Sequence, residues 1–191
     1  MTNPKEKSAF LLKNILRGLI WLAIIIAIFL FFKNKVDVNY LNWLKPVYSN
    51  SSIVFLIFFT SEVIIGIIPP EVFMIWALRN GSISEYAFLI FLLSVVSYLA
   101  GLIGYCFGRY LNTTLLYRFL RRKFLKKLER MLNIYGLYII IVAAITPLPF
   151  SGVSMLVGSV KYPIKKYVLY SALRFARFIV YSWLIWKANT L

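Results

Sequence analysis

The chain has no histidine, a single cysteine (Cys106) and only six carboxylates among 191 residues. Each scarcity excludes something. Without histidine the commonest metal ligand and the commonest proton-transfer group at neutral pH are both missing. One cysteine cannot form an intrachain disulfide. Proton chemistry, if there is any, falls to the carboxylates, and no cofactor or metal is expected. Long charged stretches are also scarce. Gly18 to Phe32, Tyr86 to Gly108 and Met131 to Val160 carry no charge at all.

What is present is apolar and basic. Hydrophobic residues make up 61% of the chain and mean hydropathy is +0.80. Soluble domains are nearer half apolar, whereas about twenty consecutive apolar residues cross a hydrocarbon core. An all-α integral membrane protein is expected. The basic start before the first apolar run imitates a signal peptide, but the run ends at Phe31-Phe32-Lys33 without a small-residue cleavage site. It reads as a retained first span. The formal charge of +16 flanks apolar segments. Anionic lipid headgroups are therefore the expected partners and nucleic acid is not. A homo-oligomer is compatible with the sequence.

Residues 1–50 divide into a basic lead, a first span at 15–32 and an aromatic connector; residues 51–191 form the membrane domain. Within it, 51–78 is an apolar segment broken at Pro69 and Pro70. A full span at 86–108 follows. Residues 109–130 carry eight basic residues among leucines and phenylalanines at helical spacing, which reads as an amphipathic helix on the membrane surface. A second broken segment, 135–160, is interrupted at Pro147 and Pro149, and a last span covers 167–186. Proline kinks would explain either break alone. Two double-proline breaks at matching places favour a pair of re-entrant hairpins. With the N-terminal lead and the 109–130 helix cytoplasmic by the positive-inside rule, the hairpins enter from opposite sides. The expected architecture is three full spans plus two opposed hairpins in an inverted repeat.

Carboxylates in apolar segments are costly, and a functional role is the default reading. Glu62 and Glu71 flank the first break, and low-dielectric surroundings that disfavour the charged form suit proton gating. Their bland alternatives are a place at the aqueous mouth or internal ion pairing. Arg174 and Arg177 lie at i and i+3 on the last span and can reach one partner. They could snorkel to the interface, pair with Glu62 or Glu71, or hold a lipid phosphate. Gly101, Gly104 and Gly108 permit close helix packing.

The stretches "TSEVIIGIIPPEVFMIWAL", "YLAGLIGYCFGRYLN" and "YGLYIIIVAAITPLPFSGVSMLVGSVKYPIKKYVLYSAL" resemble the DedA family, also called the VTT or SNARE-associated membrane domain family. The resemblance covers about residues 55–180. It implies two opposed re-entrant hairpins and movement of lipids between leaflets, phospholipids or polyprenyl-phosphate carriers, linked in bacteria to the proton-motive force and the inner membrane. It places acidic residues where Glu62 and Glu71 stand. Bacterial members usually carry arginines on both sides of the second hairpin's proline; this chain has Ala144 and Phe150 around Pro147 instead. Arg174 and Arg177 are the candidates to supply that charge. A lipid transporter is thus the leading expectation and a non-transporting scaffold or envelope assembly factor the alternative. An intramembrane enzyme is the weakest, because no nucleophile–base spacing is present, although Thr146, Ser151 and Ser154 lie near the second break.

Overall fold

The computed structural model describes residues 48–64, 66, 68–78, 82–111, 126–146 and 149–190, with positions 12, 13, 16, 20, 23, 24 and 27. The first span, the connector at 33–47, the basic stretch 112–125 and Pro147 lie wholly or largely outside them. Among the described residues there is helix and no strand. From residue 51 the elements are α1 (Ser51–Ile64), α2 (Pro70–Ala77), α3 (Ile83–Leu111), α4 (Lys126–Ile145), α5 (Phe150–Ser159), α6 (Ile164–Ser171) and α7 (Leu173–Thr190).

Local chemistry sets the ends. The Asn50 side chain accepts the Ser52 and Ile53 N–H groups at 3.0 and 3.4 Å, which caps α1. Gly66 ends it by adopting φ +70°, a left-handed conformation that costs glycine nothing. Its N–H donates to the Ser61 carbonyl at 2.7 Å. The Ser61 hydroxyl then accepts the Ile68 N–H at 2.9 Å, so the break does not leave that donor bare. Pro69 and Pro70 start α2, where a missing N–H removes nothing the helix would use. Pro149 and Pro163 precede α5 and α6 in the same way.

After each break the chain doubles back. Phe58 packs on Phe73 with centroids 4.7 Å apart, Phe55 meets Trp76 at 6.2 Å, and the Trp76 indole donates to the Tyr48 carbonyl at 2.7 Å. Numbers rising along α1 therefore meet numbers falling along α2. In the second half, Gly136 on α4 lies against the ring of Tyr162 beyond the end of α5. Each folded-back pair has its own core. Phe58, Phe73 and Met74 pack with Leu93 of α3 and Phe178 of α7. Ile140, Ala143 and Phe150 pack with Tyr105 of α3 and Tyr167 of α6. The helices α3 and α6–α7 run through both cores.

Two helices among the described residues are long and apolar enough to cross a membrane, Ile83–Leu111 and Ile164–Asn189. At 1.5 Å per residue the first is about 43 Å long, more than a hydrocarbon core of about 30 Å. Both exceed the expected spans of 86–108 and 167–186. In the second, α6 passes to α7 at Ala172, whose φ and ψ of −60° and −20° stay helical. Two further boundaries differ from expectation. Residues 109–111 continue α3, and 126–130 belong to the helix that runs on to Ile145. No proline interrupts 126–145, and good helix formers such as Lys126, Leu128, Glu129 and Met131 fill its start. The end of the basic stretch is thus part of the second folded-back pair and not of a separate surface helix.

Candidate functional site

The two tips touch. A Cβ built on Gly66 would lie 3.7 Å from the Pro149 Cα and 3.9 Å from both a Glu62 carboxylate oxygen and the Ser151 hydroxyl. Ser151, in the first turn of α5, donates to the Glu62 backbone carbonyl and ties the second tip to the last turn of α1. Close approach of α3 brings this about. At Gly104 a Cβ would stand 2.9 Å from the Ser151 carbonyl, and at Gly108 it would collide with the Met155 carbonyl. Gly101 makes room for the ring of Phe150.

Around this junction the four charged candidates form two ion pairs, each linking residues more than a hundred positions apart. Arg174 Nη2 donates to Glu62 Oε2 at 2.6 Å. Arg177 Nη2 reaches Glu71 Oε1 at 2.6 Å. All four residues are at most 2% exposed. Neither arginine snorkels to an interface. Burying one such charge alone costs several kcal/mol even after relaxation, about 3–5 kcal/mol when a partner is removed. Mutual neutralisation is what makes the arrangement tenable.

Each arginine also holds a second group. Arg174 Nε donates to the Ser97 hydroxyl at 2.5 Å, and Ser97 in turn donates to Glu62 Oε2 at 2.6 Å, closing a three-membered ring of contacts. Its guanidinium lies over the Phe150 ring, 4.4 Å from the centroid. Arg177 Nη1 donates to the Thr146 carbonyl at 2.8 Å, and its guanidinium sits 5.0 Å from the Tyr181 ring centroid. The Tyr181 hydroxyl donates to the Ile145 carbonyl at 3.1 Å.

Helix ends reinforce the Glu71–Arg177 pair. Glu71 is in the first turn of α2, where the helix dipole favours a negative charge. Arg177 binds a carbonyl just past the end of α4, where the dipole favours a positive one. The pair spans both breaks. Three buried side-chain atoms have no hydrogen-bond partner among the described residues: Glu71 Oε2, Arg174 Nη1 and Arg177 Nε. The network therefore has one acceptor and two donors in reserve.

The sequence singles out Glu62, Glu71, Arg174 and Arg177, and the structure brings all four together with Pro149 and the tip that Pro69 and Pro70 end. It misses Ser97, the group that joins Glu62 to Arg174. The available signal is that Ser94 and Ser97, at i and i+3, mark one polar face of an apolar run. Ser94 bonds its own helix at the Phe91 carbonyl, which leaves Ser97 as the one that reaches outward. The Ser151 hydroxyl ties the two tips, whereas the Thr146 hydroxyl bonds its own helix at the Val142 carbonyl and only the Thr146 backbone carbonyl meets Arg177.

A family model described as VTT domain matches residues 68–187. No curated protein and no solved structure matches the chain significantly.

Proposed function

This chain belongs to the VTT-domain, or DedA, family, a membrane-associated family linked to transport and homeostasis, and from that premise we propose that it moves a phosphate-bearing lipid between leaflets. In this reading the two folded-back pairs are re-entrant hairpins of an inverted repeat. The protein sits in a bacterial-type inner membrane with its N-terminus and the 109–130 region cytoplasmic. It binds and translocates membrane lipid and does not act as an enzyme.

One observation carries the reading: two Glu–Arg pairs are buried where the two tips meet. Broken backbone at membrane depth belongs where protein or a polar cavity covers it. A pair that can open there offers an arginine to a lipid phosphate and a carboxylate to a proton. Glu62 and Glu71 gate, and Arg174 and Arg177 attract the phosphate. Arg174 lies on Phe150 and Arg177 on the Thr146 carbonyl, beside the second tip that lacks arginines of its own. The test is bleaching of a fluorescent phospholipid in reconstituted vesicles. Glu62→Gln, Glu71→Gln and the Arg174→Ala/Arg177→Ala double variant are expected to lose flipping. Wild-type rates in all three would sink the assignment.

A second reading has its own support. Each of the four charges has an opposite partner at contact distance and almost no exposure, which is what a scaffold using charge only for internal pairing needs. That scaffold moves no lipid when purified, and exchanging the two residues of a pair restores it.

A further inference from the structure

The two buried ion pairs use the same edge of the guanidinium but are finished differently. In an arginine, Nε and Nη2 point the same way along one edge, a fork that matches a carboxylate. Arg174 uses the whole edge. Its Nη2 donates to Glu62 Oε2 at 2.6 Å, its Nε donates to the Ser97 hydroxyl at 2.5 Å, and that hydroxyl donates on to the same Oε2 at 2.6 Å. One hydroxyl, accepting from Nε and donating to the carboxylate, closes the fork. Arg177 uses half of its edge. Its Nη2 donates to Glu71 Oε1 at 2.6 Å, and Nη1, outside the fork, donates to the Thr146 carbonyl at 2.8 Å. Arg177 Nε and Glu71 Oε2 have no partner among the described residues, although both are buried.

We infer that the Glu71–Arg177 fork binds one water molecule, which accepts from Arg177 Nε and donates to Glu71 Oε2, as the Ser97 hydroxyl does in the other pair. The site stands whether or not the protein moves lipid.

Chemistry selects the occupant. A buried polar group left unsatisfied is costly, more so when it is charged. The two bare atoms here are of opposite kinds, a donor and an acceptor. A cation would satisfy the carboxylate oxygen but face the guanidinium with like charge. An anion would do the reverse. A neutral hydroxyl serves both with one atom. Size narrows the choice further. Glu71 is 0% and Arg177 2% exposed, and the apolar grooves beside Ile64 and between α3 and α7 are lined by neither. Water is the smallest carrier of a hydroxyl, and it stays in a protein interior when about three polar groups hold it. Its second lone pair suits Arg174 Nη1, the third bare atom, one turn away on the same face of α7. The four charges thereby divide. Glu62 and Arg174 form a closed clasp, sealed by the protein's own hydroxyl. Glu71 and Arg177 form a hydrated one, whose hydroxyl can leave.

Hydroxyl-radical footprinting of the full chain in lipid nanodiscs tests this, because a bound water split by X-rays oxidises the aromatic ring beside it. Tyr181 is the reporter, buried with its ring centroid 5.0 Å from the Arg177 guanidinium. Tyr167 is the control. It is as deeply buried, its hydroxyl is bonded to Ser154, and it packs with Phe150, the ring on which the closed clasp lies. In wild-type protein Tyr181 is expected to be oxidised well above Tyr167. After rapid mixing with heavy-oxygen water, its label should acquire the heavy isotope more slowly than that of the exposed Tyr110. Equal oxidation of Tyr181 and Tyr167 would overturn the proposal. So would isotope uptake at Tyr181 as fast as at Tyr110, which marks open access and not a held molecule. Glu71→Leu with Arg177→Met removes both arms of the fork without stranding a charge, and should bring Tyr181 down to the level of Tyr167. Unchanged oxidation of Tyr181 in that variant, folded, would also overturn it. The wild-type comparisons need no variant to fold. Lipid flipping enters none of them, so loss of the transport reading leaves the water site intact.

Discussion

Arg174 rests its guanidinium on the ring of Phe150 at 4.4 Å while its Nη2 grips Glu62 at 2.6 Å. One side chain from the last described span thus touches both tips: Phe150 opens α5 in the second half, and Glu62 closes α1 in the first. Arg177 repeats the arrangement one turn on, with Thr146 and Glu71. The spans do more than fence the broken segments. They supply the charge at which the two halves meet.

Removing one member of a buried pair strands the other. Arg174→Ala is expected to destabilise the protein by about 3–5 kcal/mol. Replacing both residues, as Glu62→Leu with Arg174→Met, should recover most of that loss. Thermal unfolding in detergent, followed by size-exclusion chromatography, measures both. Equal loss in the single and double variants would show that pairing is not what holds this site.

Ser97 makes a sharper prediction, because it is small and fully buried. Ser97→Ala deletes the donor to Glu62 Oε2 and the acceptor for Arg174 Nε together. A cost of about 1–3 kcal/mol follows from leaving buried groups unsatisfied. Ser97→Ala at wild-type melting temperature would contradict the ring of contacts described above.

Glycines on the helix surfaces differ in what they face. Gly108→Ala drives a methyl into the Met155 backbone carbonyl, which cannot swing away. It should cost about 1–3 kcal/mol. Gly136→Ala meets only the edge of the Tyr162 ring, at 3.0 Å. A ring can yield, and alanine gains up to about 1 kcal/mol of helix propensity, so that change should be close to neutral. Melting temperatures of the two variants, side by side, decide it.

Re-entry has a topological signature. Asn50 and Ser82 lie at the two open ends of the first folded-back pair, and Lys161 lies at the open end of the second; all three are exposed. In a Cys106→Ser background, cysteines at 50 and 82 should react with an impermeant maleimide from one face of sealed vesicles, and a cysteine at 161 only from the other. Opposite-face labelling of 50 and 82 would make the first pair a full crossing.

Much of this was legible because proline and charge are rare in apolar sequence. Pro69-Pro70 located the first break to within a few residues, although α1 ends at Ile64, earlier than the apolar run does. The i, i+3 spacing of Arg174 and Arg177 placed both on one face. It could not say which glutamate each would meet, because that depends on how two tips a hundred residues apart come together. Phe150 reads differently in sequence and in space for a related reason. Read linearly, it is an apolar residue where an arginine is expected. In three dimensions it is the surface on which an arginine from another helix lies. Ser97 stayed hidden because a serine in a span often bonds its own backbone, as Ser94 does. The two ends of the basic stretch, 109–111 and 126–130, fall to the neighbouring helices because charge marks what touches water and says nothing of where a helix stops.

The separation of the paired residues also sets an order of events during biosynthesis. Arg174 leaves the ribosome 112 residues after Glu62, a delay on the order of ten seconds at usual rates of elongation. Through that interval Glu62 and Glu71 have no arginine to meet. The first tip therefore cannot settle at its final depth when it is made. It has to wait until the helix carrying both arginines arrives, so that a late helix seats the first folded-back pair.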